Sequence, residues 1–164
     1  MIEKLAIAGT IGAGVFIGLL WPTSRHAPTS AAVSPIEVVI ERNSDHHYYA
    51  DAKVNGHSVH FMIDTGASET ALTEADAQEI GIAVDPNKYE VIGDGASGIV
   101  RGEYVQLKSI DFGGIKQQNT EAVVVSGATV SLLGQPFLEQ VDEIVIRQGE
   151  MRLKNDARAL GSAI

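Results

Sequence analysis

The dipeptide Asn55-Gly56 constrains the fold of this chain more than any other feature. A two-residue hairpin turn needs positive φ at both central positions, which Asn and Gly adopt more readily than other residues. The flanking runs, Tyr48 to Val54 and His57 to Asp64, therefore pair as antiparallel strands. The second arm becomes wholly apolar at Phe61-Met62-Ile63, ends on Asp64, and continues as Thr65-Gly66-Ala67-Ser68. A carboxylate closing a run apolar enough to be buried on both faces is costly to ionise, so it needs hydrogen bonds, a proton or a chemical role. The simpler alternative is that Asp64 and Thr65 only open a turn.

The rest of the chain reads as an all-β domain with one or two short helices. Seventeen glycines, 5% aromatic residues and abundant Val and Ile favour short strands and tight turns. Strands are expected at Ile36 to Glu41, Ser68 to Leu72, Tyr89 to Ile92, Ile99 to Leu107, Ile110 to Phe112, Glu121 to Val125, Glu143 to Arg147 and Met151 to Lys154. Thr73 resembles a helix N-cap with Asp76 three residues on, and Gly81 is a natural stop, which predicts a short helix between them.

The N-terminus differs in character. Leu5 to Trp21 is apolar except for Thr10, 17 residues or roughly 25 Å of helix. That length favours a membrane anchor over residues 1–22 against a cleaved signal peptide, whose apolar core is about 7–15 residues. Ala8, Gly12, Gly14 and Gly18 are spaced to let two such helices approach, although glycine is also common in membrane helices. Residues 23–35, rich in Ser, Thr, Ala and Pro, read as a linker. The folded domain is expected over 36–154, and 155–164 form a tail with no assignment. Residues 36–164 carry a net charge of about −10.

Several chemistries are disfavoured. The net charge of −9 argues against nucleic acid or an anionic membrane surface as partner. Cysteine is absent, which removes disulfides, thiolate metal sites and a thiol nucleophile. Gly93-Asp94-Gly95-Ala96-Ser97-Gly98 matches a dinucleotide-binding glycine pattern, but that pattern needs a helix immediately after it. Here Ile99 to Val105 alternates as a strand does, so the glycines mark a hairpin tip. His46-His47 and His57-x-x-His60 have odd spacings that place side chains on opposite faces of a strand, so no metal site is expected. No serine lies in a G-x-S-x-G elbow. What remains is carboxylate chemistry.

A second informative stretch is Leu132-Leu133-Gly134, 70 residues after the Asp64 loop and followed by the apolar helix expected at Gln135 to Val141. An apolar run into Asp-Thr-Gly-Ala, a glycine-tipped hairpin and then Leu-Leu-Gly, in that order, resembles the retropepsin-like aspartic proteases, in particular a bacterial, membrane-anchored, single-domain branch. The resemblance covers about Ile36 to Lys154 and implies a half-barrel fold. It implies two carboxylates sharing one proton, one form activating water and the other protonating the scissile carbonyl. One chain supplies one Asp-Thr-Gly, so a homodimer with Asp64 and its mate at the twofold axis is implied.

Residue by residue, Asp64, Thr65 and Gly66 would form the catalytic loop, with Thr65 hydrogen-bonding across the axis. Ala67 and Ser68 would contact substrate. Gly95, Ala96, Ser97, Gly98 and Ile99 would form the tip of a flap closing over an extended peptide. Leu132, Leu133 and Gly134 would pack beneath the Asp64 loop. Ser68 and Gln135 stand where retroviral enzymes commonly have an Asp and an Arg that pair, so both partners of that pair are neutral here. No cofactor is implied. The partners implied are a second copy, a peptide or protein substrate and a membrane, with the protease domain on the extracytoplasmic, periplasmic side. The alternative is a non-catalytic dimeric peptide-binding module of the same fold.

Overall fold

In the computed structural model, residues 35–95 and 98–156 are described. The apolar segment Leu5 to Trp21, most of the linker, Ala96, Ser97 and residues 157–164 lie outside them. Among the described residues no helix is long and apolar enough to cross a membrane.

Among the described residues, ten strands and two short helices follow in the order β1(Ile36–Glu41), β2(Tyr49–Val54), β3(His57–Ile63), β4(Ala71–Thr73), α1(Glu74–Glu79), β5(Glu90–Gly95), β6(Gly98–Phe112), β7(Ile115–Val125), β8(Ser131–Leu133), α2(Gln135–Leu138), β9(Glu143–Arg147) and β10(Glu150–Asn155). A 3-10 turn, Pro86–Lys88, precedes β5. Asn55 and Gly56 both have positive φ, 51° and 91°, as the β2–β3 turn requires. Thr73 caps α1, its hydroxyl accepting from the Asp76 N–H at 3.0 Å, and Gly81 takes φ 81° just beyond the helix.

Seven strands form one sheet in the order β2-β3-β8-β4-β7-β6-β5, and β6 returns to β2 through Lys53–Asp111 and Val54–Ile110. The sheet thus closes on itself at one end, leaving β5 and the outer half of β6 as a projecting two-stranded arm. A second sheet, β1-β10-β9, packs against the β6–β7 turn, where Val38 approaches Gly113 so closely that a Cβ there would lie 2.5 Å from its Cγ2. Both sheets feed one core in which Phe61, Phe112 and Phe137 are fully buried, the last two meeting edge-to-face at 6.2 Å.

Four expectations are corrected. The strand expected at Ser68 to Leu72 begins only at Ala71, because the backbone of Ala67 to Glu69 is engaged by Gly134 and Gln135 instead of a ladder. The strands expected at Ile99 to Leu107 and Ile110 to Phe112 are one continuous β6, since Asn55 Oδ1 accepts from the N–H groups of Lys108 and Ser109 and no turn intervenes. The strand expected from Glu121 starts at Ile115, and the helix expected to reach Val141 ends at Leu138. Ser131–Leu133 is a strand that the sequence reading lacked, parallel to β3.

Candidate active site

Asp64 sits where β3 leaves the sheet. The parallel pairing Met62–Leu132 and Ile63–Leu133 continues into a hydrogen bond from the Asp64 N–H to the Leu133 carbonyl at 3.2 Å, which fixes the loop at its entry. Asp64 is half-buried as a residue, and its carboxylate Oδ1 accepts from the Gly66 N–H at 2.8 Å. A Cβ on Gly66 would lie 3.3 Å from that same oxygen, so the glycine keeps the space beside the carboxylate clear. Thr65 is exposed at the apex.

The loop is clamped from below by the β8–α2 junction. The Gln135 N–H donates to the Ala67 carbonyl at 2.9 Å, and the Gln135 side-chain amide donates to the Thr65 carbonyl at 2.5 Å. Gly134 is buried, and a Cβ there would fall 2.2 Å from the Glu69 carbonyl oxygen and 2.8 Å from that of Ala67. Only a glycine lets the two backbones approach this closely. Gln135 therefore holds the loop within its own chain through two carbonyls.

Behind the loop, a ring of hydrogen bonds ties β4, α1 and β8 together. Ser131 Oγ donates to Asp76 Oδ2 at 2.5 Å and accepts from the Thr73 N–H at 3.0 Å, while Thr73 Oγ1 donates to Asp76 Oδ2 at 2.8 Å. Ser131 is fully buried, so these bonds satisfy groups that would otherwise be costly to bury. Asp76 is thus more than a cap residue.

A cleft of about 380 Å³ opens beside Asp64. Gly66, Ala67 and Ser68 line one wall. Its floor follows from strand register: Leu132, Ala71, Val123 and Tyr104 are successive cross-strand partners on β8, β4, β7 and β6, so their side chains share a face. The arm supplies the roof with Ile92, Gly93, Asp94 and Val100. Gly102 makes that overhang possible, because a Cβ there would lie 2.5 Å from the Val124 carbonyl and 3.0 Å from the side chains of Ile92 and Val123.

Two placements differ from the sequence reading. Leu133 and Gly134 lie beneath the loop, but Leu132 is half-buried and faces the cleft, because strand alternation sends it opposite to Leu133. On the hairpin, Gly95 and Gly98 pair at the tip and Ile99 is 69% exposed, while the cleft is lined by residues nearer the root. Ala96 and Ser97 lie outside the described residues. The sequence reading missed Tyr104, Ile92, Val100 and Glu69 as cleft residues, and no local motif signals them. Strand register could have found Tyr104 once Val123 was placed. Among the described residues no cluster of His, Asp and Glu could hold a metal ion.

The gag-polyprotein putative aspartyl protease family matches residues 50–140, a span that holds the Asp64 loop, the arm and the β8–α2 junction. The chain belongs to the retropepsin-like aspartic protease family. The crystal structure of a retropepsin-like aspartic protease from Rickettsia conorii is 33% identical, covers 74% of this chain and 91% of its own, and superposes with a TM-score of 0.62. The EIAV protease bound to the inhibitor HBY-793 has the same fold at 18% identity, with a TM-score of 0.51 over 64% of this chain and 97% of its own. Among curated sequences, a Sinorhizobium protein from the cobV 5′ region is 33% identical over 121 residues, 73% of this chain and 52% of that protein. The Rickettsia prowazekii protein RP867 is 36% identical over 104 residues, 63% of this chain and 45% of that protein. The chain spans about half the length of these two curated relatives.

Proposed function

We propose that this retropepsin-like protein is an aspartic endopeptidase whose catalytic unit is a homodimer, with Asp64 of each copy forming a dyad that activates water. The observation that carries the reading is the state of Asp64 in one chain. The half-buried Asp64 lines a cleft of about 380 Å³, and among the described residues the Gly66 N–H is the hydrogen-bond donor to its carboxylate. A second carboxylate across a twofold axis would complete the site, and the two would titrate as a pair. Thr65, exposed at the apex of the loop, would hydrogen-bond across the axis to the partner's loop.

An extended peptide would lie between the floor of Leu132, Ala71, Val123 and Tyr104 and the roof of the arm, adding its backbone to the arm as a strand does. The dyad oxygen that holds the proton would protonate the scissile carbonyl, while the other carboxylate takes a proton from the attacking water. The apolar segment Leu5 to Trp21 would anchor each copy in a membrane, with the protease domain on the periplasmic side. Tethering two copies in one bilayer raises their effective concentration and would favour the dimer.

The test uses the purified full-length protein in detergent with an unfolded protein substrate at mildly acid pH. Cleavage by the wild type and none by Asp64→Asn is expected. Equal cleavage by both, or tight peptide binding with no turnover, would contradict an Asp64-dependent peptidase.

A further inference from the structure

We propose that Tyr89 is a positioning residue for the cleft, its hydroxyl pinning the root of the β5–β6 arm to the first turn of α1. The inference rests on the peptidase reading of the cleft only for its catalytic consequence. Its structural part stands on the hydrogen bonds alone.

The outer arm has little holding it. Val91 to Gly95 pair with Gly98 to Arg101 and Glu90 with Gly102, from which residue inward β7 is the ladder partner of β6. A two-stranded hairpin on its own is marginally stable in water, so the contacts at its root decide where the arm lies. On the β6 side the root is fixed by the ladder, with the Ser126 N–H donating to the Arg101 carbonyl at 2.9 Å. The β5 side has no such ladder, because β5 is an edge strand.

Four contacts replace it there. The Arg101 guanidinium donates to the Tyr89 carbonyl at 2.7 Å, and Glu103, with its side chain 12% exposed, accepts from the Asp85 N–H at 3.0 Å and pairs with Lys88 at 3.4 Å. These three tie the approach of β5 to β6, within the arm and its own stem. The fourth contact leaves the arm: the Tyr89 hydroxyl donates to Glu74 Oε1 at 2.5 Å, in a half-buried setting. Glu74 opens α1, whose Thr73 and Asp76 are bonded to Ser131 at the start of β8. β8 in turn accepts the Asp64 N–H at Leu133. The Tyr89–Glu74 bond thus joins the roof of the cleft to the framework that holds Asp64. Bonds to a charged acceptor are among the stronger ones, and this one joins the arm's root to α1.

The test measures hydrogen exchange of backbone amides in the full-length wild type, Tyr89→Phe, Glu74→Ala and Glu74→Gln. Loss of one charge-assisted bond should quicken exchange in Glu90 to Gly95 and Gly98 to Arg101 about tenfold in Tyr89→Phe and Glu74→Ala, with β3 and β7 unchanged. The double variant should be no faster than either single one. Glu74→Gln, whose amide oxygen still accepts, should stay within about threefold of wild type. With peptide substrate, Tyr89→Phe should raise KM, by at most about tenfold, and leave kcat near wild type, because the ratio of positioned to displaced arms falls by that factor. Unchanged exchange in the arm, or equal quickening in β3 and β7, would overturn the proposal. A wild type that cleaves no peptide would remove the peptidase reading and leave the exchange result to judge the clasp by itself.

Discussion

Gly134→Ala should be among the most damaging single-atom-group additions this fold can receive. The residue has φ −93° and ψ −170°, an extended conformation open to any amino acid, so no conformational penalty is involved. The cost is steric. The added Cβ would fall 2.2 Å from the Glu69 carbonyl oxygen, 2.8 Å from its carbonyl carbon and 2.8 Å from the Ala67 carbonyl oxygen. All three are backbone atoms and cannot swing aside as a side-chain tip can. Relieving the contact means displacing the Ala67 to Glu69 segment from the β8–α2 junction by about 1 Å, which strains the packing by about 1–3 kcal/mol. The same shift stretches the Gln135 N–H bond to the Ala67 carbonyl, now 2.9 Å, for about 1 kcal/mol more. A loss of about 3 kcal/mol is a large part of the stability of about 5–15 kcal/mol typical of a domain. Urea unfolding followed by tryptophan-independent far-UV circular dichroism gives the midpoint and slope for both proteins. A lower midpoint at unchanged slope is expected. A variant within about 0.5 kcal/mol of wild type would show that the loop does not rest on this contact.

Other outcomes follow from the same geometry. Gly66→Ala meets only the Asp64 Oδ1 at 3.3 Å, so it should unfold within about 1 kcal/mol of wild type yet lose at least about tenfold in peptide cleavage, because the carboxylate must move. Ser131→Ala leaves the Thr73 N–H and Asp76 Oδ2 each short of a partner behind the loop, and should cost about 1–3 kcal/mol in denaturant melts, whereas a neutral result would dissolve the ring described around it. The Tyr89 phenol is pushed up to about 12, first by burial and then by its bond to Glu74, with Glu103 adding to the effect. Its folded value lies above that of the unfolded chain, so its contribution to stability is full below about pH 10 and is lost as pH rises towards 12. Of the four tyrosines, Tyr49 is also raised by its bond to Asp45, but Tyr89 should ionise last in an ultraviolet titration of the folded protein, and that last step should vanish in Tyr89→Phe.

What the sequence disclosed was local. The Asn55-Gly56 turn, the Thr73 cap and the ends of β1 and β9 are set by residues next to each other in the chain, and each leaves its mark in a short window. Pairings between distant segments leave none. The parallel match of β3 with β8 was invisible because Ser131-Leu132-Leu133 is too short to alternate, and its only announcement was the glycine that follows. Closure of the sheet through Lys53–Asp111 and Val54–Ile110 depends on β6 running through Lys108 and Ser109 without a break, which a side chain 53 residues upstream, Asn55, makes possible. Asp76 illustrates the same limit at the site: three residues after a Thr it reads as part of a cap, and its bond to Ser131 becomes legible only when α1 and β8 are side by side. The arm misled in another way. Its glycines located the tip, but the cleft is lined by Ile92, Asp94 and Val100 nearer the root, since the bulge between Val91 and Gly93 alters which residues face inward.

The central claim is that one chain carries half of an active site. It is tested most directly by mixing wild-type protein with Asp64→Asn at equal concentrations, allowing the chains to exchange, and measuring peptide cleavage against the same total amount of wild type. If both carboxylates of a dyad are needed, only wild-type pairs cleave, and activity should fall to about one quarter. Activity of about one half would mean that each chain works without its neighbour's Asp64, and the account of a shared site would be wrong.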